Sequence, residues 1–375
     1  MTDPSDRKDQ LEVLWLDPLA PETPLGQWQD LADNSVDPNP FFTPGYLQPF
    51  LRAFPSATVR LLVIREKGSK NWRMTAPIGR RRAGLAVPVK TTWTSYYAPL
   101  GTPLLRDTGG LDDVAAFVEV GAGSASLMAM PFLPCNSRVA SLAKKITGWE
   151  NRWPEKLSRA GHGSGDLGET QYKAAMSGKR RKEMRRQLRR LEDHGPIRIA
   201  HLIGEEAIKG FEKFLKLEAE GWKGRAGTAL SSNPETALFS RNVIKNRSLN
   251  NGVRIDQLWA GESLIASLIL FIEGSHVFSW KIAFNETFGR MSPGAQIAAI
   301  SMKQNLKSPD ILEADSLAVP GHSMIEPLWR GRVDIGTLIL SKGYLGSSLA
   351  SLTAADLKLE RSLRNKAKTL KAFFS

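Results

Sequence analysis

Three β-rich runs, VRIDQLWA (253–260), LIASLILFI (264–272) and HVFSWKIAF (276–284), are separated only by Gly261–Glu262 and Glu273–Gly274. Two tight turns between such runs predict a meander of antiparallel hairpins. After Phe284 the pattern changes. FNETFGRMSPGAQ is turn chemistry, and AQIAAISMKQNL carries apolar residues at helical spacing. Ser292 suits an N-cap, Pro293 the first helical position, and Gly294 a close approach of ligand to backbone. A helix N-terminus fed by a strand offers free N–H groups to a phosphate. Those groups are expected on Gly294, Ala295 and Gln296, with Arg290 adding favourable charge.

Upstream of the meander, Lys179–Arg190 holds eight basic residues, while Met184, Leu188 and Leu191 form a narrow apolar stripe. This reads as a docked helix with a basic face, solvated or holding a polyanion. No aromatic residue interrupts the run, so stacking on single-stranded nucleic acid is disfavoured. A second helix from Ile208 to Trp222 presents Phe211, Phe214, Leu215 and Trp222 on one face. Glu218 shares that face, either as a buried ion pair or as a carboxyl with raised pKa suited to a general base. The Gly-broken loop WKGRAGTAL supplies Trp222, Lys223 and Arg225 as acceptor-binding candidates. On the third strand of the meander, Lys281 and Ser279 are expected on one face and Trp280 on the other. Downstream, ILEADSLAV reads as a strand ending near Asp315. His322, Glu326 and Trp329 then fall at helical spacing, with Pro327 keeping any helix short.

The first half mixes strands (LEVLWL, VRLLVIR, SLMAMPFLP, and two around Gly84) with helices near Tyr46 and Val114. GHGSGDLGET (161–170) has the composition of a linker. VDIGTLIL reads as a final strand. In the tail, Leu359, Leu363, Leu370 and Phe374 line one face of a basic amphipathic helix that docks on the body or a partner, with a membrane surface as the alternative.

At 375 residues with a net charge of +13, the chain is long enough for two domains and suited to polyanionic partners. One cysteine excludes an internal disulfide framework. The N-terminus lacks a charged-then-apolar signal, and no apolar run reaches a membrane span. These features point to a cytoplasmic protein, with the inner-membrane surface as its one membrane location. The histidines lack metal-ligand spacing, and no G-x-S-x-G elbow, Walker A or strand-linked G-x-G-x-x-G appears, so no metal is expected.

Five pieces of the chain resemble one family: FFTPGYL at Phe41, KRRKEMRRQLRRLEDHG at Lys179, FLKLEAEGWKGRAGTAL at Phe214, WKIAFNETFGRMSPGAQ at Trp280 and DSLAVPGHSMIEPLWRGR at Asp315. The resemblance is to the GNAT-like branch typified by the CelD proteins of bacterial cellulose and exopolysaccharide clusters, itself similar to FemAB-type enzymes. It implies an α/β (α+β) fold of tandem GNAT-like domains, each a mixed, mainly antiparallel sheet flanked by helices. The expected segments are an N-terminal extension, partly disordered (1–35), a degenerate domain (36–165), a domain with the cofactor loop (166–348) and a C-terminal helix (349–375). The implied activity is N-acyl transfer, with acyl-CoA (acetyl-CoA) as co-substrate and a sugar- or peptide-like amine as acceptor, in exopolysaccharide or envelope biosynthesis. Alternatives are a FemAB-like transferase using aminoacyl-tRNA and a non-catalytic accessory of polysaccharide synthesis. Glu218, Asp315, Lys281 and His322 are the candidates for proton transfer. Arg290, Ser292, Gly294, Ala295 and Gln296 are those for the cofactor, and Trp222, Lys223, Arg225 and Trp329 those for the acceptor. One departure stands out. In the family loop Q/R-x-x-G-x-G/A, Pro293 replaces the first glycine and leaves the loop one backbone donor short.

Overall fold

The structure, a computed structural model, describes residues 10–82 and 84–373, without the side chains of 364–373. Leu370 and Phe374, expected on the tail's apolar face, therefore lie outside the described side chains. Two compact units interleave along the chain. One comprises residues 1–44, 56–157 and 334–375, and the other 45–55 and 158–333. The chain order is more interleaved than the consecutive segments expected from the sequence, because the first unit takes a strand from near the C-terminus (Gly331–Ser341) and the second takes a helix from the first stretch (Pro44–Ala53).

In the first unit, β1 (Leu11–Leu16), α1 (Leu25–Asp33), α2 (Pro44–Ala53, assigned mostly to the other unit), β2 (Arg60–Glu66), β3 (Trp72–Arg82), β4 (Pro88–Thr92) and β5 (Leu104–Leu105) come first. Then follow α3 (Leu111–Ala122), β6 (Leu127–Pro134), α4 (Arg138–Ala143) and β7 (Glu150–Arg152). Strands β1 to β4 pair antiparallel in sequence order, and β4 pairs β6 in parallel after the α3 crossover. Two parallel neighbours require such a crossover, which here is a helix.

The second unit repeats this plan with β8 (Lys156–Gly163), α5 (Gly165–Ala175), α6 (Gly178–Glu192), β9 (Ile197–Leu202), α7 (Gly204–Glu220), α8 (Trp222–Arg225), α9 (Pro234–Ser248), β10 (Val253–Ala260), β11 (Ser263–Glu273), β12 (His276–Phe284), α10 (Pro293–Lys307) and β13 (Glu313–Asp315). Strands β9 to β12 are antiparallel, β12 pairs β13 in parallel after α10, and β8 pairs β13 antiparallel. The matching strand of the first unit is β14 (Gly331–Ser341), antiparallel to β6 and followed by α11 (Gly343–Phe373). The meander and the mixed, mainly antiparallel architecture stand as expected.

Apolar residues of α6 and α10, among them Met184, Leu191, Ile297 and Met302, close one face of the second sheet against Leu258, Ala266, Leu268 and Val277. Helices α7 and α9 cover the other face. There, Tyr46 of α2 meets Phe239, Phe271 and Trp280 edge-on, with centroids at 5.5, 5.9 and 6.3 Å.

The expected linker at 161–170 is instead the end of β8 and the start of α5. Its glycines record crowding: a Cβ on Gly161 would lie 2.6 Å from Ala314 O, and one on Gly168 2.3 Å from Gly163 O. Beside them a buried polar chain crosses the core. Arg254 holds Asp256 (2.9 and 3.0 Å) and donates to Asn305 (2.6 Å), Asn305 reaches His162 Nε2 (3.0 Å), and His162 Nδ1 contacts Gly163 O (2.9 Å).

Burial pulls the His162 pKa from 6.5 down to about 4. The unfolded chain then binds the proton at higher pH than the folded one, so this group's stabilisation is complete above 6.5 and declines as pH falls towards 4. The loss amounts to about 3 kcal/mol. His162→Gln should lower stability at neutral pH yet flatten its slope between pH 6.5 and 4 relative to wild type, as read by chemical denaturation. An unchanged slope would show that His162 does not carry that dependence.

Candidate active site

Parallel pairing between β12 and β13 covers only His276–Phe278 and Glu313–Asp315. Beyond it β12 continues to Phe284 with no strand on that side among the described residues. A one-residue bulge follows, since Ile269 faces Lys281 and Leu270 faces Ser279, leaving Trp280 as the extra residue. The chain then passes a 3-10 turn at Glu286–Met291 and enters α10 through Ser292.

A cavity of about 440 Å³ opens at this point. Phe284, Gly289 and the residues 292–295 form one wall, Arg180, Glu183, Met184 and Gln187 of α6 a second, and Ser323, Met324, Pro327 and Leu328 a third. The first helical bond of the α10 terminus runs from Gln296 N to Ser292 O (3.0 Å), so the Gly294 and Ala295 amides precede it. Arg180 Nη1 donates to Ala175 O and Pro327 O, both at 2.7 Å, which places its guanidinium in the cavity wall. An apolar chamber with a guanidinium and two helix-terminal amides suits a ligand with an anionic group and an apolar stretch.

Several expected cofactor residues sit differently in detail. Ser292 is the N-cap in position only. It adopts φ 50°, and its side chain makes no capping bond. Gln296 lies in the core and its amide donates to Met184 O (2.9 Å), with its backbone N–H also engaged. Arg290 is exposed and absent from the cavity wall. A Cβ on Gly294 would lie 2.4 Å from Met324 Sδ, so a side chain there displaces the Met324 thioether. In the first unit the corresponding crossover helix α3 starts with Asp112 and Asp113. Asp113 accepts from Gly110 N (2.8 Å) and pairs with Arg73 (2.7 Å), which fills that terminus with negative charge. The first turn of α10, by contrast, holds no acidic residue.

The proton-transfer candidates are scattered. Glu218 is buried, accepts from Lys223 Nζ (2.7 Å) and Leu230 N (2.8 Å), and ties the α7–α8 turn together. Asp315 pairs with buried Arg159 (2.5 Å) and accepts from Leu317 N (2.9 Å), which secures β13 and the left-handed Leu317 after it. His322 does not start a helix. It lies in a run of turns, its Nδ1 buried with no hydrogen-bond partner among the described residues. Lys281 is different, since burial and the neighbouring Lys223 charge pull its pKa down to about 8 against the opposing pull of Glu218.

The expected alternation of Trp280 and Lys281 fails at the bulge. Trp280 packs on Phe239 of α9 and Lys281 lies by Glu218 of α7, two helices that pack together, so both side chains share a face. Of the acceptor candidates, Trp222 is largely exposed and Arg225 reaches Glu286 (2.6 Å). Trp329 is wholly buried, with Nε1 on Ala298 O (3.2 Å) and its ring edge-on to His162, and so belongs to the core. Sequence reasoning did not single out Phe284, Met324 or Arg159, and it took Arg180 only as one of eight basic residues on a face suited to a polyanion. Arg159 left a trace, as a cation within a strand run, where burial requires a carboxylate partner.

Residues 178–303 match the family described as acetyltransferase (GNAT) domain. The span runs from the start of α6 into α10 and so includes two walls of the cavity. Over this stretch the chain is similar to GNAT acetyltransferase domains. Among solved structures, FemX superposes with a TM-score of 0.57 at 9% identity, covering 92% of this chain and 100% of its own. A C-terminal domain (DUF2156) assigned to a lysylphosphatidylglycerol synthetase of Agrobacterium fabrum gives 0.53 at 12% identity, covering 88% and 95%. L-PGS from Bacillus licheniformis gives 0.52 at 12% identity, covering 90% and 97%. At these identities the likeness is one of fold. No curated protein matches the chain in sequence.

Glu218 has both oxygens occupied, which marks it as structural. Glu218→Gln keeps an acceptor for Leu230 N but leaves the Lys223 charge without its carboxylate, held by Ile282 O alone, and should cost about 2 kcal/mol of stability, less than a fully buried pair because Lys223 is partly solvated. Denaturant titration together with a binding assay tests this. Unchanged stability with lost turnover would instead assign Glu218 to proton transfer.

Proposed function

We infer that the second unit transfers an acyl group from acyl-CoA to an amino group of a sugar- or peptide-like acceptor, as in building an exopolysaccharide or envelope component. The observation that carries this reading is the cavity at the start of α10, where helix-terminal amides and Arg180 face an apolar chamber inside the matched GNAT domain. Gly294, Ala295 and Arg180 would hold the phosphates, and Phe284, Met184 and Met324 the apolar arm. The donor supplies an activated thioester carbonyl.

The chain's own contribution is positioning, polarisation and one proton transfer. Backbone N–H groups on the unpaired side of β12 polarise the carbonyl oxygen. The acceptor ammonium gives one proton to Lys281, the free amine forms the new C–N bond as the C–S bond breaks, and the second proton shed by that nitrogen passes to the departing sulfur, leaving Lys281 to release the first to solvent. A lysine with pKa about 8 is neutral often enough for this near neutral pH.

A second reading, aminoacyl transfer from charged tRNA, is favoured by the exposed groove of about 300 Å³ along Lys182, Arg185 and Arg189, and by Pro293 in place of a donor amide. The fold shared with FemX and with a lysylphosphatidylglycerol synthetase domain fits that reading too. Titration with acetyl-CoA and longer acyl-CoAs decides between them. Binding of acyl-CoA supports the first reading. No binding of acyl-CoA, with tRNA binding lost in Arg185→Glu/Arg189→Glu, supports the second.

Gly294→Val should drive Met324 into the cavity and weaken acyl-CoA binding at least about tenfold, about 1.4 kcal/mol. Equal acyl-CoA-induced melting shifts in wild type and variant would remove the phosphate-site reading. Turnover should rise with pH through about 8 and then level, as Lys281 loses its proton. Lys223→Met removes a neighbouring positive charge and frees Glu218, so the inflection should move to higher pH. An unmoved inflection would exclude Lys281 as the base.

A further inference from the structure

Helix α11 packs one side against the first sheet, burying Ala350 and Leu357 with Val89, Leu127, Ala129 and Ile339. Its outward side carries Leu345, Leu352, Leu359 and Leu363, spaced by seven, seven and four residues and so aligned within one narrow stripe. They are 76%, 59%, 54% and 48% exposed, and Tyr344 beside the first is 87% exposed. The β3–β4 hairpin tip joins this stripe. Asp356 lies on the same side of the helix as Leu352 and Leu359, and its carboxylate accepts from Leu85 N (3.0 Å), Ala86 N (3.0 Å) and Val87 N (2.9 Å). Gly84 packs there with no room for a Cβ, 2.7 Å from the Asp356 backbone. This clamp sets Leu85, itself 41% exposed, at the edge of the leucine row.

Positive charge surrounds the row. Arg80, Arg81 and Arg82 at the end of β3 and Lys358 on α11 are exposed. Asp356, the carboxylate on the stripe's side of the helix between Leu352 and Leu359, is occupied by three amides. Beyond Glu360 the sequence has Arg361, Arg364, Lys366, Lys368 and Lys371 and no acidic residue. We propose that this face, the α11 leucine row with the β3–β4 tip, docks the protein on an anionic lipid surface. Leucines enter the boundary between headgroups and acyl chains, and the arginines and lysines meet the anionic headgroups. A second copy fits worse, because a two-fold contact would bring the same arginines together. RNA would meet the cations and leave the leucines in water.

The test is co-sedimentation of the full-length protein with vesicles of phosphatidylcholine alone, and with phosphatidylcholine and phosphatidylglycerol at about three to one. Binding is expected only to the anionic vesicles, weakening with salt. Leu352→Glu/Leu359→Glu and, separately, Arg80→Glu/Arg81→Glu/Arg82→Glu should each reduce it at least tenfold. All the substituted side chains are exposed, and unchanged circular dichroism would confirm folding. Milder Leu352→Ser/Leu359→Ser should show the same direction. Equal partition of wild type and the leucine variants overturns the proposal. So does absent vesicle binding in a protein that is dimeric as wild type and monomeric as Leu352→Glu/Leu359→Glu, which would assign the row to self-association. Binding to RNA that the leucine variants retain, without vesicle binding, overturns it as well.

Discussion

The cavity depends on how short the parallel contact is between β12 and β13. Three residue pairs hold the strands together, and β13 then ends at Asp315. The buried Arg159–Asp315 pair makes the arrest firm, because an unpartnered charge of either sign at that depth would be costly. With β13 gone, β12 runs on for six more residues with no strand on that side among the described residues, and Ile282 O accepts from Lys223 Nζ (2.9 Å). A buried strand edge of that kind needs a partner. Where the partner is a substrate, the geometry that would be a fault elsewhere becomes a binding surface. The crossover helix that parallel pairing demands then starts beside this edge and brings its positive end with it.

Much of this could be read from the chain. Period-two runs and short Gly turns gave the meander. The Ser-Pro-Gly step located the start of α10, and the basic run from Lys179 located α6. These signals are local, which is why they survive without tertiary information. Other features depend on partners distant in sequence. Glu218 on an apolar stripe fitted both a base and a buried pair, and only the return of Lys223 and the Leu230 amide decides it. Trp329 has the composition of a substrate platform but lies inside, against His162. The Trp280 bulge changes which side chains share a face, and a bulge leaves no composition signal when all nearby residues favour strands. Glycines misled in one place: at 161–168 they mark backbone contacts and not a linker.

The two units show how one plan is kept or closed by charge. Both place a helix between parallel strands, so both could present N–H groups to an anion. In α3 the first turn carries Asp112 and Asp113, and Asp113 folds back onto Gly110 N. That capping is worth about 1 kcal/mol of helix stability, and it repels a phosphate from the same place. In α10 the first turn has no acidic residue, and the Ser292 side chain makes no cap. The helix there begins through a left-handed residue and a proline, a less well-satisfied start that leaves its amides available.

This contrast explains how Pro293 can stand where the family loop has glycine. Proline removes one donor, but it fixes the first helical φ and so holds the next two amides in place without a side-chain cap. An uncapped terminus would otherwise fray, and its N–H groups would point at water. Fewer donors in fixed directions bind an anion better than more donors that must first be ordered, because the ordering entropy is met in folding and not in binding. Arg180 adds to this. Its Nη1 is held by two carbonyls at 2.7 Å, so the guanidinium is likewise placed before any ligand arrives. At Gly294 a Cβ would lie 2.4 Å from Met324 Sδ, so any side chain there must move a thioether that itself lines the cavity.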